Sequence, residues 1–260
     1  MRLKNPLRKF QQPSINHDET TDDNELRMGF FDHLSELQGR FVKILLGLIV
    51  GFALGSVVAG SALNFLIEPY ANRLVVLGPT GSIVAYFRVA LLIAGILSIP
   101  LITYQLLMFV IPGLTIKERG YLLRALPPFT ILFLIGVSFA WFILVPPAIN
   151  FLESFQPELF RSEWTADRYM SFVTALLFWM GVAFETPLVF FVLSLLGVIF
   201  PSMLIKNWRI AIVGTAVAAA LITPTVDPVN MFLVMGPLLA LYVISIFLVM
   251  IGNRVGGHRA

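Results

Sequence analysis

One carboxylate, Glu185, lies inside an apolar run from Ser171 to Phe200 whose nearest other charges, Arg168 and Lys206, stand beyond both ends. An acid at bilayer depth costs roughly 2.5 to 3.5 kcal/mol on insertion scales, so its retention marks a candidate contact for a ligand, a partner or a proton. Two residues on, Pro187 lacks an amide hydrogen and clashes with the Ala183 carbonyl, which frees polar backbone beside the acid. Two roles stay open: a protonated carboxyl bonded to that opened helix, or an acid facing a partner from a water-accessible hollow.

Two further acids sit where apolar stretches begin. In FFDHLSELQGRF, the apolar residues Phe30, Phe31, Leu34, Leu37 and Phe41 recur at the spacing of one helical face, while Asp32, Glu36, Arg40 and Lys43 fall on the other. That pattern predicts an interfacial amphipathic helix running into the first span, with Glu36 and Arg40 as i,i+4 partners. The segment IPGLTIKER supplies Glu118 between Lys117 and Arg119. Carboxylates at a membrane rim suit a guanidinium, whose planar fork pairs with them bidentately. The plainer alternatives are a surface ion pair at Glu36 and neutralisation of Glu118 by its neighbours. Within the second apolar stretch, Pro100 predicts a bend, and Gln105 predicts a bond to a neighbouring helix.

Bond-breaking chemistry finds no support. Cysteine is absent, His17, His33 and His258 have no metal spacing, and no nucleophile is paired with a base. No enzyme, metal site or cofactor is expected. The basic residues form no stripe of the kind nucleic acid requires.

The elements that must position these groups are membrane helices. Hydrophobic residues make up 58% of the 260 and charged residues 13%, half the charged share of a soluble domain. Six apolar stretches fall at about 41–67, 83–111, 126–149, 169–200, 208–222 and 229–251, without strand-type alternation. The fold class is therefore all-α, a single polytopic membrane domain over 28–252. Residues 1–27 read as a disordered tail without a cleavable signal pattern, and 253–260 as a short tail. Lys and Arg concentrate at the start, around 117–124, at 206–209 and near the end, which places both termini in the cytoplasm. The last two stretches look short, the fifth with 15 residues and the sixth interrupted by Pro237. The connection 146–168, with Phe155, Phe160 and Trp164, is expected to pack as a short helix and cap.

Taken in order, HLSELQGRF, SIPLITYQLLMFVIPGLTIKERGYL, FETP and ITPTVDPVN resemble the TatC family, the polytopic subunit of the twin-arginine protein translocase, over about Gly29 to Gly252. The resemblance implies a concave six-helix bundle with two short final spans, which receives twin-arginine signal peptides of folded cargo in the cytoplasmic (inner) membrane. It implies recruitment of TatA/TatB-type single-span partners and passage driven by the proton-motive force. A homo-oligomeric arrangement within the complex stays open. Signal-peptide recognition is carried over to Glu36 and Glu118, with Arg40, Lys117 and Arg119 beside them. The intramembrane and partner-facing positions are Glu185, Gln105, Phe109 and Met231, and the structural ones Pro69, Pro100, Pro187 and Asp227. Three positions depart from the family pattern: Gln38 replaces an arginine, Met231 a glutamine and Val243 a glutamate. The alternative is a small secondary transporter or ion-conducting protein, with Glu185, Arg88 and Asp227 as its relay.

Overall fold

The computed structural model describes the backbone of residues 19–70, 74–110, 116–159, 163–223 and 227–255, and the side chains of these stretches except 19–33, 110 and 116–125. Among them the chain is all-α, with one isolated parallel bridge between Val75 and Thr165. The helices are α1 Glu19–Ile67, α2 Gly81–Val110, α3 Ile116–Phe139, α4 Val145–Ser154, α5 Ala166–Leu195, α6 Pro201–Lys206, α7 Trp208–Ile222 and α8 Pro228–Val255. Among the described residues five helices are long and apolar enough to cross a membrane, and α7 is a shorter apolar helix. The six expected stretches are thus present in order.

Several boundaries differ from expectation for local reasons. Helix α1 begins at Glu19, so its described backbone extends through 19–27, within the expected tail. No Pro or Gly lies between Glu19 and Met28, so nothing there stops a helix nucleated downstream. The third span runs past residue 149 to Ser154 through a π-helical turn at Ala140–Leu144, where the Val145 N–H donates to the Ala140 carbonyl. Pro146 and Pro147 lack amide hydrogens, and the wider turn just before them absorbs the mismatch. Helix α5 ends at Leu195 rather than at 200, because Gly197 adopts φ 69° and closes a Schellman motif. The Val198 N–H reaches the Leu193 carbonyl at 3.0 Å and the Gly197 N–H the Ser194 carbonyl at 3.1 Å.

The final spans divide. Helix α7 has 15 residues, about 22 Å at 1.5 Å per residue, against a hydrocarbon core of roughly 30 Å. Helix α8 is not short: its 28 residues continue through Pro237. A proline costs one intrahelical bond, and a membrane helix packed along its length tolerates that.

Lipid offers no hydrophobic drive for helices to associate, so close backbone approach must hold them together. Small residues provide it. Gly47, Gly51 and Gly55 of α1 face Ser98, Ala94 and Ala90 of α2, and the Ser98 hydroxyl donates to the Gly47 carbonyl at 3.2 Å. A Cβ at Gly55 would lie 2.6 Å from the Ala90 carbonyl oxygen. Gly136 of α3 crosses Gly181 of α5 just as closely, since a Cβ at Gly136 would meet the Gly181 Cα at 2.9 Å. Gly252 of α8 lies against Ser194 of α5, and the neighbouring Asn253 amide, with its nitrogen turned toward them, donates to the Ser194 and Ile199 carbonyls at 3.3 Å each. Helix α5 is common to two of these seams and supplies Tyr169, Met170, Phe172 and Met180, all fully buried.

A polar and aromatic cap closes the end of the bundle opposite the start of α1. Val75 and Trp164–Ala166 exchange two backbone bonds of 2.9 Å, the Trp164 N–H donates to the Tyr70 hydroxyl, and Tyr169 donates to the Leu66 carbonyl. Pro69 sits in the turn that directs the chain from α1 into this cap, where the Tyr70 N–H donates to the Ile67 carbonyl at 2.9 Å.

Replacing Gly55 by Val should lower the thermal unfolding temperature in mild detergent, consistent with an overpacking cost of about 1–3 kcal/mol. Gly236→Val, where nothing lies within 4 Å of an added Cβ, should leave it within about a degree by the same reasoning.

Candidate functional site

Glu36, Arg40 and Gln105 are brought together by the α1–α2 seam. Arg40 Nε donates to Glu36 Oε1 at 3.1 Å, Nη2 reaches the same oxygen, and Nη1 donates to Gln105 Oε1 at 3.4 Å. Gln105 is only 6% exposed, and its amide oxygen accepts from the neighbouring helix α1. The contact is in register with the glycine seam: stepping from Arg40 to Gly47, Gly51 and Gly55 on α1 matches stepping back from Gln105 to Ser98, Ala94 and Ala90 on α2. The backbone packing therefore fixes where the guanidinium sits. The Glu36 side chain keeps 35% exposure against 16% for Arg40, which leaves the carboxylate nearer the surface. Phe109 lies one turn beyond Gln105 and is partly buried; Gln38 is exposed.

Lys117, Glu118 and Arg119 occupy the first turn of α3, and their side chains lie outside the described residues. Five residues, 111–115, separate the end of α2 from the start of α3. Because Arg40 bonds α2 close to its end, Glu36 and Glu118 stand at the same end of the bundle.

Glu185 is partly buried, and its Oε1 is buried without a hydrogen-bond partner. It shares an α5 face with Gly181, Leu188 and Val192, at helical spacing. That face meets α2 and α3: Gly181 lies against Phe133, while Val192 and Leu188 pack with Leu107 and Phe129. Pro187 is itself buried and continues the helix. A different α5 face, carrying Trp179, Ala183, Thr186 and Phe190, lines an apolar groove of about 640 Å³ against α7 and α8. Glu185 does not line it. Pro100, in contrast, lies exposed within the continuous helix α2.

Asp227 caps α8. The Asn230 backbone N–H donates to Asp227 Oδ1 at 2.7 Å and its side-chain amide to Oδ2 at 3.0 Å, with Pro228 at the first helical position. Asn230 is 1% exposed, and its Oδ1 finds no donor. Met231 follows, partly buried against the core, and Val243 is 50% exposed. Both Asp227 oxygens are committed to Asn230, and among the described residues no hydrogen bond joins Asp227, Arg88 and Glu185.

Sequence reasoning missed the three glycines of α1, although their i, i+4, i+8 spacing is a packing signature. It also missed Asn230, which no local pattern marks as buried.

The family model described as "Sec-independent protein translocase protein (TatC)" matches residues 32–237. The chain belongs to the TatC family. A Sec-independent protein translocase protein TatC of Synechocystis sp. is 35% identical over 237 residues, covering 86% of this chain and 88% of that protein. A chloroplastic counterpart from Arabidopsis thaliana is 35% identical over 243 residues, covering 91% and 70%. A crystal structure of the twin-arginine translocase receptor TatC superposes with a TM-score of 0.77 at 33% identity, covering 85% of this chain and all of that one. As a TatC-family protein the chain is a multi-pass membrane component of the Sec-independent protein translocase, a transport subunit rather than an enzyme. Membership replaces the small-transporter reading.

Asp227→Ala should fray the first turn of α8 and cost about 1 kcal/mol, the usual size of a lost N-cap. Hydrogen exchange at residues 229–232 should rise, and Asp227→Asn, which retains a capping acceptor, should raise it less.

Proposed function

We propose that this TatC-family chain is the membrane receptor and core subunit of a twin-arginine translocase, with both termini in the cytoplasm and the bundle in the cytoplasmic (inner) membrane. Twin-arginine signal peptides of folded cargo bind at the basic end, where Glu36 and Glu118 each accept a guanidinium and Lys117 and Arg119 flank the second acid. The observation that carries the reading is the position of Glu36, a carboxylate 35% exposed and tied through Arg40 to Gln105 near the end of α2; five residues separate that helix from α3, whose first turn holds Glu118. At a membrane rim, partial removal of water strengthens charge-assisted bonds of this kind.

Beyond the two arginines, the apolar part of the signal peptide lies along the bundle past Glu185. The chain then recruits TatA/TatB-type single-span partners, with Met231 at the docking edge, and the proton-motive force drives passage. A second copy of the chain within the complex fits this scheme, while nucleic acid has no part in it.

Glu118→Gln and Glu36→Gln should each weaken binding of a twin-arginine signal peptide by about tenfold or more, the scale of a lost hydrogen bond to a charged group, with the chain still inserted in the membrane. Fluorescence titration of membranes carrying each variant checks this, and undiminished binding in either variant removes that acid from the site. Glu185→Ala should leave peptide binding intact and reduce co-purification of single-span partners and export of cargo; wild-type export would reduce Glu185 to a structural part of the Pro187 segment.

A further inference from the structure

Arg40 presents to Glu36 the same group that the incoming ligand would present. Its Nε, at 3.1 Å, and its Nη2 both bond Glu36 Oε1, while Nη1 is held by Gln105 at 3.4 Å. A guanidinium from outside offers the same planar fork, so the two cations contend for one carboxylate and repel each other across it. The arginine is the deeper of the pair and is tethered one helical turn from the acid, so it returns whenever the ligand leaves. Gln105 differs in kind. Its oxygen accepts from Arg40 but carries no charge, and it can hold the displaced arginine without drawing the ligand away from Glu36.

Resting on the receptor reading, the geometry points to Arg40 as an internal competitor that sets the affinity threshold of the Glu36 site, with Gln105 as the cradle that receives it. Binding is an exchange: the ligand guanidinium takes Glu36 as Arg40 withdraws onto Gln105. Arg40 therefore opposes binding rather than contributing to it, contrary to its place among the expected signal-peptide contacts. Competition lowers the affinity of every cationic ligand by one factor. Discrimination between arginine and lysine stays with the fork geometry at Glu36.

The test uses the full chain in lipid nanodiscs, titrated with a fluorescent twin-arginine signal peptide and its twin-lysine form. Arg40→Gln should tighten both by up to about fivefold, the upper range for a partly exposed ion pair, with their ratio unchanged. Gln105→Leu should weaken binding in the wild-type background and change nothing when Arg40 is already Gln. Thermal unfolding of each variant checks the fold; should Arg40→Gln fail it, Arg40→Lys, which keeps the charge and loses the fork, should tighten binding to a smaller degree. Weaker binding by the folded Arg40→Gln chain, beside tight wild-type binding, overturns the competitor role alone. No binding by the wild-type chain overturns the receptor reading beneath it.

Discussion

The register of α1 on α2 is the constraint on which the end of the molecule that carries Glu36 depends. Gly47, Gly51 and Gly55 remove the side chains that would keep two backbones apart, and Ala90, Ala94 and Ser98 do the same from the other side. Dispersion between close backbones then takes the place of the hydrophobic effect, which lipid does not supply between helices. Once that seam is set, Arg40 has one position along α2, and it is Gln105. A slip of α1 by a single turn would carry Arg40 past the amide and leave a buried polar group without a partner, at a cost of about 1–3 kcal/mol. Packing and polar satisfaction thus select the same register.

The remainder of the bundle is organised around α5. Its crossing with α3 uses Gly136 against Gly181, its contact with α8 uses Ser194 against Gly252, and its N-terminal end is fixed by Tyr169 and Trp164 within the cap. Glu185 lies between the first two of these seams, on the face turned toward α2 and α3. The half-length helix α7 leaves the opposite face of α5 open along an apolar groove. A polar atom without a partner on one face and an unfilled apolar surface on the other are both features that tight packing elsewhere must offset.

The sequence made the helical class, the number and order of the apolar stretches and the basic end of the molecule legible, because each depends on composition over roughly 20 residues and not on any single contact. The acids Glu36, Glu118 and Glu185 stood out because charge is costly at a membrane. What could not be read were pairings across sequence distance: that Arg40 would span to Gln105, or that Asn230 would be buried behind Asp227. Helix ends were legible only in part. Gly197 carried the signal for the end of α5, whereas Pro237 suggested an interruption of α8 that its packing against α5 and α7 overrides.

Under the proposed function, first contact with cargo occurs between arginines and the two carboxylates at the basic end. Photo-cross-linking tests it most directly, with a photoreactive side chain at Gln38 and at Gly120, which flank the acids without replacing them. A twin-arginine signal peptide should form adducts at both positions, and its twin-lysine form should lose both. Equal adducts with the two peptides, or adducts at neither position, would contradict the account.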